Sequence, residues 1–147
     1  MAYIGQIPPL GGAPLPFSRK PPEDRRVLLL HGTTLARAQA IARQQGLAPQ
    51  RSFFVLGMSN RDIARLFAIR ASQRSPRAGG PALVLTALPE TAFERMRRLG
   101  LFRAIPFDPE DRPELRGRRQ WVLEPGGVEI LNREADFWRA VPMGPRS

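Results

Sequence analysis

The stretch "VLLLHGTT", Val27 to Thr34, runs four apolar residues straight into the single histidine of a 147-residue chain. Val27 to Leu30 is a short continuous apolar run, as a buried strand requires, and His31-Gly32 ends it at a turn. Thr33 or Thr34 then offers a hydroxyl to cap a helix. Its apolar side reads Leu35, Ala38, Ile41 and Ala42, and Gly46 is placed to be its C′ residue. His31 is therefore either the polar end of a buried strand, bonding a nearby carbonyl, or a group offered to a ligand by a turn whose glycine admits close approach.

Downstream the same alternation continues. "RSFFVL" (51–56) reads as a strand, and Ser59 with Asp62 three residues on makes a capping box for a helix in which Ile63, Leu66, Phe67 and Arg70 keep helical spacing to about Ser72. "QRSPRAGGP" (73–81) is a basic loop and "ALVLTA" (82–87) a central strand. Pro89 at a first helical position and Gly100 beyond the last turn bracket a helix with Phe93, Met96 and Leu99 on one face. Residues 103–118, charged and holding three prolines, are expected to form a long surface loop. "QWVL" (120–123) and "VEIL" (128–131) read as two last strands joined through Pro125-Gly126-Gly127, with Phe137, Trp138 and Val141 tucking the tail onto the core.

Upstream, residues 1–22 hold six prolines and a Gly-Gly pair, which makes them an irregular arm before a single domain at 23–147. No apolar run is long enough for a membrane span and no leader is recognisable, so a soluble chain with the cytoplasm as default is expected, or one delivered into a target cell's cytoplasm. The absence of cysteine excludes thiolate nucleophiles and cysteine-ligated zinc, and one histidine cannot build a transition-metal site, so no metal is expected. No Gly-x-Ser-x-Gly elbow, GxGxxG or P-loop is present either.

The formal charge of +10 comes from 22 arginines and one lysine against 13 acids. Part of that excess reflects a composition rich in Arg, Ala, Pro and Gly, so the basic clusters read either as a polyanion-binding face or as a solvated one. Arg51, Arg74, Arg77, Arg116, Arg118 and Arg119 are the candidates for contacting nucleic acid.

"LLLHGTTLARAQAIARQQGL" resembles the opening of the ADP-ribosyltransferase-like fold in its diphtheria-toxin and poly(ADP-ribose)-polymerase branch, where a His-Gly-Thr/Ser turn ends the first strand and a helix closing on Gly-Leu comes next. "FFVLGMSNRDIARLFA", "GPALVLTALPETAFERMRRLG" and "RRQWVL" are similar, in order, to the later segments of that family. The resemblance implies an α+β domain with a split β-sheet core and flanking helices, NAD as co-substrate, and a His-Tyr-Glu trio. Position by position, it implies that His31 bonds the adenosine ribose, that the backbone of Gly32 holds the nicotinamide amide, and that the Thr33 hydroxyl braces the turn. The stacking tyrosine falls on Phe54, with Phe53 the alternative, since only one of two strand neighbours can face the ligand. The third position falls on Gln120, with Glu124 and Glu129 as fallbacks. Glu124 reads equally as part of a strand-ending turn, and Glu129 as a cross-strand surface acid.

For function, the resemblance implies a mono-ADP-ribosyltransferase of bacterial toxin or defence type, with RNA or DNA as acceptor and an antitoxin or immunity protein as a possible partner. Two alternatives stand beside it. One is a basic nucleic-acid-binding module that has lost catalysis, and the other is an enzyme like RNA 2′-phosphotransferase, which also uses NAD and a His-Gly-Thr turn.

Overall fold

A computed structural model describes residues 25–49, 51–107, 115 and 117–143, the side chain of Phe54 excepted. The N-terminal arm and Arg116 lie outside the described residues. Within them the chain is α+β: strands β1 (Arg26–Thr34), β2 (Phe53–Gly57), β3 (Pro81–Pro89), β4 (Phe102–Pro106), β5 (Arg119–Leu123) and β6 (Phe137–Pro142), with helices α1 (Leu35–Gln44), α2 (Arg61–Arg74), α3 (Glu90–Arg98) and α4 (Pro125–Glu134). The strands form one antiparallel sheet in the order β4-β5-β2-β1-β3-β6.

Both faces of this sheet are covered, which is why its strands read as continuous apolar runs. Neighbouring residues divide between two cores. Leu29, Val55 and Val84 pack with Ala38 and Ile41 of α1, Met96 of α3 and Val128 and Leu131 of α4. Leu30, Leu56 and Leu83 pack with Ile63, Ala64 and Ala68 of α2. Burying an aliphatic side chain as fully as Leu29 is worth about 1.5–3 kcal/mol.

The structure corrects several expectations drawn from the sequence. Gln45, not Gly46, takes the left-handed conformation after α1 (φ 55°), while Gly46 passes close under Asn132. The Asn132 amide reaches across to bond both the N–H and the C=O of Leu47, each at 2.8 Å. A capping box at Ser59 and Asp62 does not form, because Ser59 lies in a 3-10 turn (Met58–Asn60) and α2 begins at Arg61 after Asn60, without a side-chain cap. Pro89 ends β3 and precedes α3 instead of opening it.

Two corrections change the topology. The segment expected as a loop from residue 103 begins as the edge strand β4, in which Phe102 is buried and Arg103 exposed, and Pro106 at its end is tolerated as edge prolines are. "VEIL" is not a strand but the middle of α4. Pro125 stands in the first turn of that helix, and Val128 and Leu131, three apart, are the buried pair, whereas a strand would have faced Val128 and Ile130 the same way. A Cβ on Gly127 would come within 2.7 Å of Leu123 Cδ1 and 2.9 Å of the Leu101 carbonyl, so this glycine serves helix packing, not a hairpin turn. The tail residues Phe137 to Pro142 form β6 along β3.

Candidate functional site

β1 pairs with β3 along its whole length, from Arg26 opposite Pro89 to Thr34 opposite Pro81, but it pairs with β2 only at Leu29–Gly57 and Leu30–Leu56. Beyond Leu30 the two strands part. Alternate residues of the His31–Thr34 end therefore point their backbone N–H and C=O groups to the side that β2 has left. The wedge opens a cleft of about 1180 Å³ reached by both helical layers.

His31, Gly32, Thr33, Phe53 and Gln120 all line this cleft, although they come from three strands and stand far apart in the chain. The half-buried His31 ring meets Phe53 edge-on, with centroids 5.5 Å apart and planes at 84°. The ring of Phe53 stands in the cleft, and the side chain of Phe54 lies outside the described part. Thr33 is buried, as a bracing residue should be. Gln120, opposite Ile105 in β4, has a buried Oε1 with no hydrogen-bond partner among the described residues. An unsatisfied buried acceptor costs about 1–3 kcal/mol, which makes this oxygen a ready acceptor for an arriving hydroxyl.

Gly32 has a structural duty besides. A Cβ there would lie 2.1 Å from the Ala64 carbonyl and 2.8 Å from the Ala68 nitrogen, so α2 crosses β1 directly over this residue. Over this glycine it is a helix that makes the close approach.

Neither fallback acid reaches the cleft. Glu124 takes Arg103 through two bonds of 2.9 and 2.6 Å and accepts from Ser52 Oγ at 3.3 Å, while Glu129 is an exposed residue of α4. Glu129 is therefore not a cross-strand acid.

The arginine candidates separate. Arg51 and Arg74 line the cleft. Arg118 instead clamps Asp62 through both carboxylate oxygens (2.8 and 2.9 Å) and bonds Asn60 Oδ1 at 2.6 Å, tying the start of α2 to the approach of β5. Arg119 is exposed at the start of β5 and Arg77 in the loop after α2. The Arg118 hydrogen bonds hold the Asp62 carboxyl below its usual range. A depressed carboxylate contributes stability above its unfolded value and loses it as pH falls through the folded one. Thermal melts of the wild type and Asp62→Asn should accordingly differ at neutral pH and converge as the pH is taken down through the carboxylate range. The difference is small, because Asp62 is 61% exposed. A gap that persists unchanged into acid would show that the clamp is not charge-coupled.

Other lining residues went unnoticed in the sequence: Arg37 and Gln44 on α1, Phe67 and Arg70 on α2, and Phe107 after β4. Their signal was spacing. Phe67, Arg70, Ala71 and Arg74 recur at helical intervals along one side of α2, and Arg37, Ala40, Ile41 and Gln44 along one side of α1. Alanines at 36, 40, 71 and 78 leave the room that the longer side chains use.

Among the described residues no group of acidic, histidine or cysteine side chains could hold a metal ion, and no helix is long and apolar enough to cross a membrane. No protein-family model, curated protein or solved structure matches the chain.

Proposed function

We propose that the chain is a mono-ADP-ribosyltransferase with an ADP-ribosyltransferase-like fold, and that the cleft between α1, α2 and the parting strands seats NAD. The observation carrying this reading is the convergence of His31, Gly32, Thr33 and Gln120 on one cleft with Phe53, the alternative to Phe54, since these are positions to which the family resemblance points. The lining also suits the parts of a dinucleotide. Phe53 offers a ring for a heterocycle, His31 and Gln120 offer hydrogen bonds for ribose hydroxyls, and the arginines offer charge for a diphosphate.

When bound, NAD supplies a ribose carbon that neutral nicotinamide leaves and a nucleophile enters. The protein's work is to position and screen. His31 fixes the adenosine ribose, Phe53 stacks on the nicotinamide, and the partnerless Gln120 Oε1 accepts from the neighbouring ribose hydroxyl. Gln120 supplies no negative charge for the positive charge that develops at the sugar. A preorganised electrostatic group of that kind is worth about 2.7–4 kcal/mol, or roughly 10²–10³ in rate.

Gln120→Glu is therefore expected to raise nicotinamide release from NAD by about 10²-fold, read by chromatography on purified protein. An unchanged rate would remove Gln120 from the third position. One observation favours a second reading, a binding module that has lost turnover: the amide itself at that position. A silent wild type beside an active Gln120→Glu variant would select it. Silence in both proteins, with no NAD binding, would sink the NAD reading.

A further inference from the structure

Away from the cleft, Asp62, Glu90, Glu94, Glu124, Glu134 and Asp136 each hold an arginine: Arg118, Arg25, Arg97, Arg103, Arg95 with Arg133, and Arg26. The cleft carries Arg37, Arg51, Arg70 and Arg74, and no carboxylate is among its described lining residues. The side chains of Arg37, Arg51 and Arg74 have no ionic or hydrogen-bond partner among the described residues, whereas Arg70 is engaged. Among the described residues, arginines without an acid also stand elsewhere on the surface, as Arg61, Arg65 and Arg119 do. What distinguishes the cleft is that its described lining brings Arg37, Arg51 and Arg74 together beside Arg70 with no carboxylate among them.

NAD does not exhaust this charge. Its diphosphate brings two anionic oxygens and its nicotinamide ring a positive charge, so seating it leaves the arginines in surplus. The start of α1 cannot take up a further anion either, because its first N–H groups are already satisfied. Leu35 N–H donates to the Gly80 carbonyl (2.8 Å), Ala36 N–H to the Ala78 carbonyl (2.9 Å) and Arg37 N–H to Thr34 Oγ1 (3.3 Å). Any second anion is left to the arginine side chains.

We infer that the acceptor is a single-stranded nucleic acid that enters between α1 and α2, its phosphates held by Arg37 and Arg74 with Arg51 beside them. As an acceptor it depends on the NAD reading above. A single strand suits the site because Phe67 and Phe107, with ring centroids 6.0 Å apart, give unpaired bases a stacking surface that a duplex would deny them. In the transfer an oxygen or nitrogen nucleophile of the strand bonds to the anomeric ribose carbon. The glycosidic C–N bond breaks with its electron pair going to nicotinamide, whose ring becomes neutral, and the nucleophile's proton passes to solvent.

The test measures binding of a short fluorescent single-stranded oligonucleotide, as RNA and as DNA, across a salt titration, and then the destination of labelled ADP-ribose from NAD. Losing two phosphate contacts in Arg37→Ala/Arg74→Ala should flatten the plot of log affinity against log salt by about 1.4. Arg98→Ala/Arg139→Ala removes equal charge from exposed positions outside the cleft and should leave the slope alone. Label should appear on the strand with wild-type protein and shift towards free ADP-ribose with the cleft variant. Both altered arginines are exposed, so melting temperatures should confirm that the variants fold.

Equal slopes for all three proteins would overturn the inference, as would label that goes to protein and never to strand. Strand binding through Arg37 and Arg74 without NAD consumption would uphold the phosphate cleft and overturn the NAD reading instead. Labelling of either sugar type upholds the inference, and a preference for RNA would add the 2′-hydroxyl to what is recognised.

Discussion

Nicotinamide release from NAD is expected to fall by about 10²-fold or more in His31→Ala, with little change in stability. His31 sits where β1 and β2 part, half-buried, and touches Phe53 edge-on. Losing that ring contact costs about 0.5–1.5 kcal/mol of folding stability beyond the area it buries. Losing a hydrogen bond that holds the bent dinucleotide costs more, because a reacting group misplaced by an ångström loses about 10²-fold in rate. The chain has no second histidine to substitute for it. The decisive comparison is the rate beside the melting temperature of the same preparation. A large loss of rate with a nearly unchanged melt makes His31 a ligand-holding residue. A fall in melting temperature with the rate per folded molecule preserved returns it to the polar end of a strand, the reading that the turn alone left equally open.

Gly32→Ala is expected to do the reverse, destabilising the fold before any question of chemistry arises. The added methyl would stand 2.1 Å from the Ala64 carbonyl and 3.1 Å from Phe67 Cβ, and neither the α2 backbone nor a Cβ can turn aside. Relief requires α2 to lift from β1. Overpacking of this kind costs typically about 1–3 kcal/mol, and a backbone clash lies at or above the top of that range. For a domain of this size each kcal/mol lowers the melting temperature by roughly 2–4 °C, so a fall of about 10 °C is expected in a thermal melt. A Gly32→Ala protein that melts like the wild type but no longer binds NAD would show that the glycine answers to the ligand, not to the helix. Phe67 moves with α2, so a lifted helix would also deform the arginine side of the cleft, and the lesion should weaken strand binding together with stability.

The first strand and helix were legible because an apolar run and a threonine that caps through Oγ1 agree there, but the turn expected at His31-Gly32 does not form: both residues lie inside β1, which stays paired with β3 as far as Thr34 opposite Pro81. β3, α2 and α3 were legible for similar reasons, to within a few residues at their ends. "VEIL" was misread because four residues carry too little period to tell strand from helix, and the Pro-Gly-Gly before it serves a hairpin and a first helical turn equally well. β4 was missed because its alternation is masked by arginine and by the proline that closes it, and only pairing with β5 makes it a strand.

At the site, His31, Gly32, Thr33 and Gln120 were pointed to by the resemblance of their segments to a family, which also left two adjacent phenylalanines to choose between. Arg37 and Arg70 share helical spacing with other lining residues, but spacing alone does not say which face meets a cleft, and Phe107 after a strand carries no such signal.

The sequence by itself determined local matters: that an apolar run forms the first strand, that a threonine caps the helix after it, and that the chain is basic and free of cysteine. Only the tertiary structure decided which of these residues meet. The parting of β1 from β2 after two residue pairs, the crossing of α2 over Gly32 and the capture of Arg118 by Asp62 are contacts between segments distant in the chain. No window of sequence contains both partners. Their energies come from packing and charge pairing that exist only once the sheet has closed, and that is why one arginine became part of a cleft and another part of a clamp.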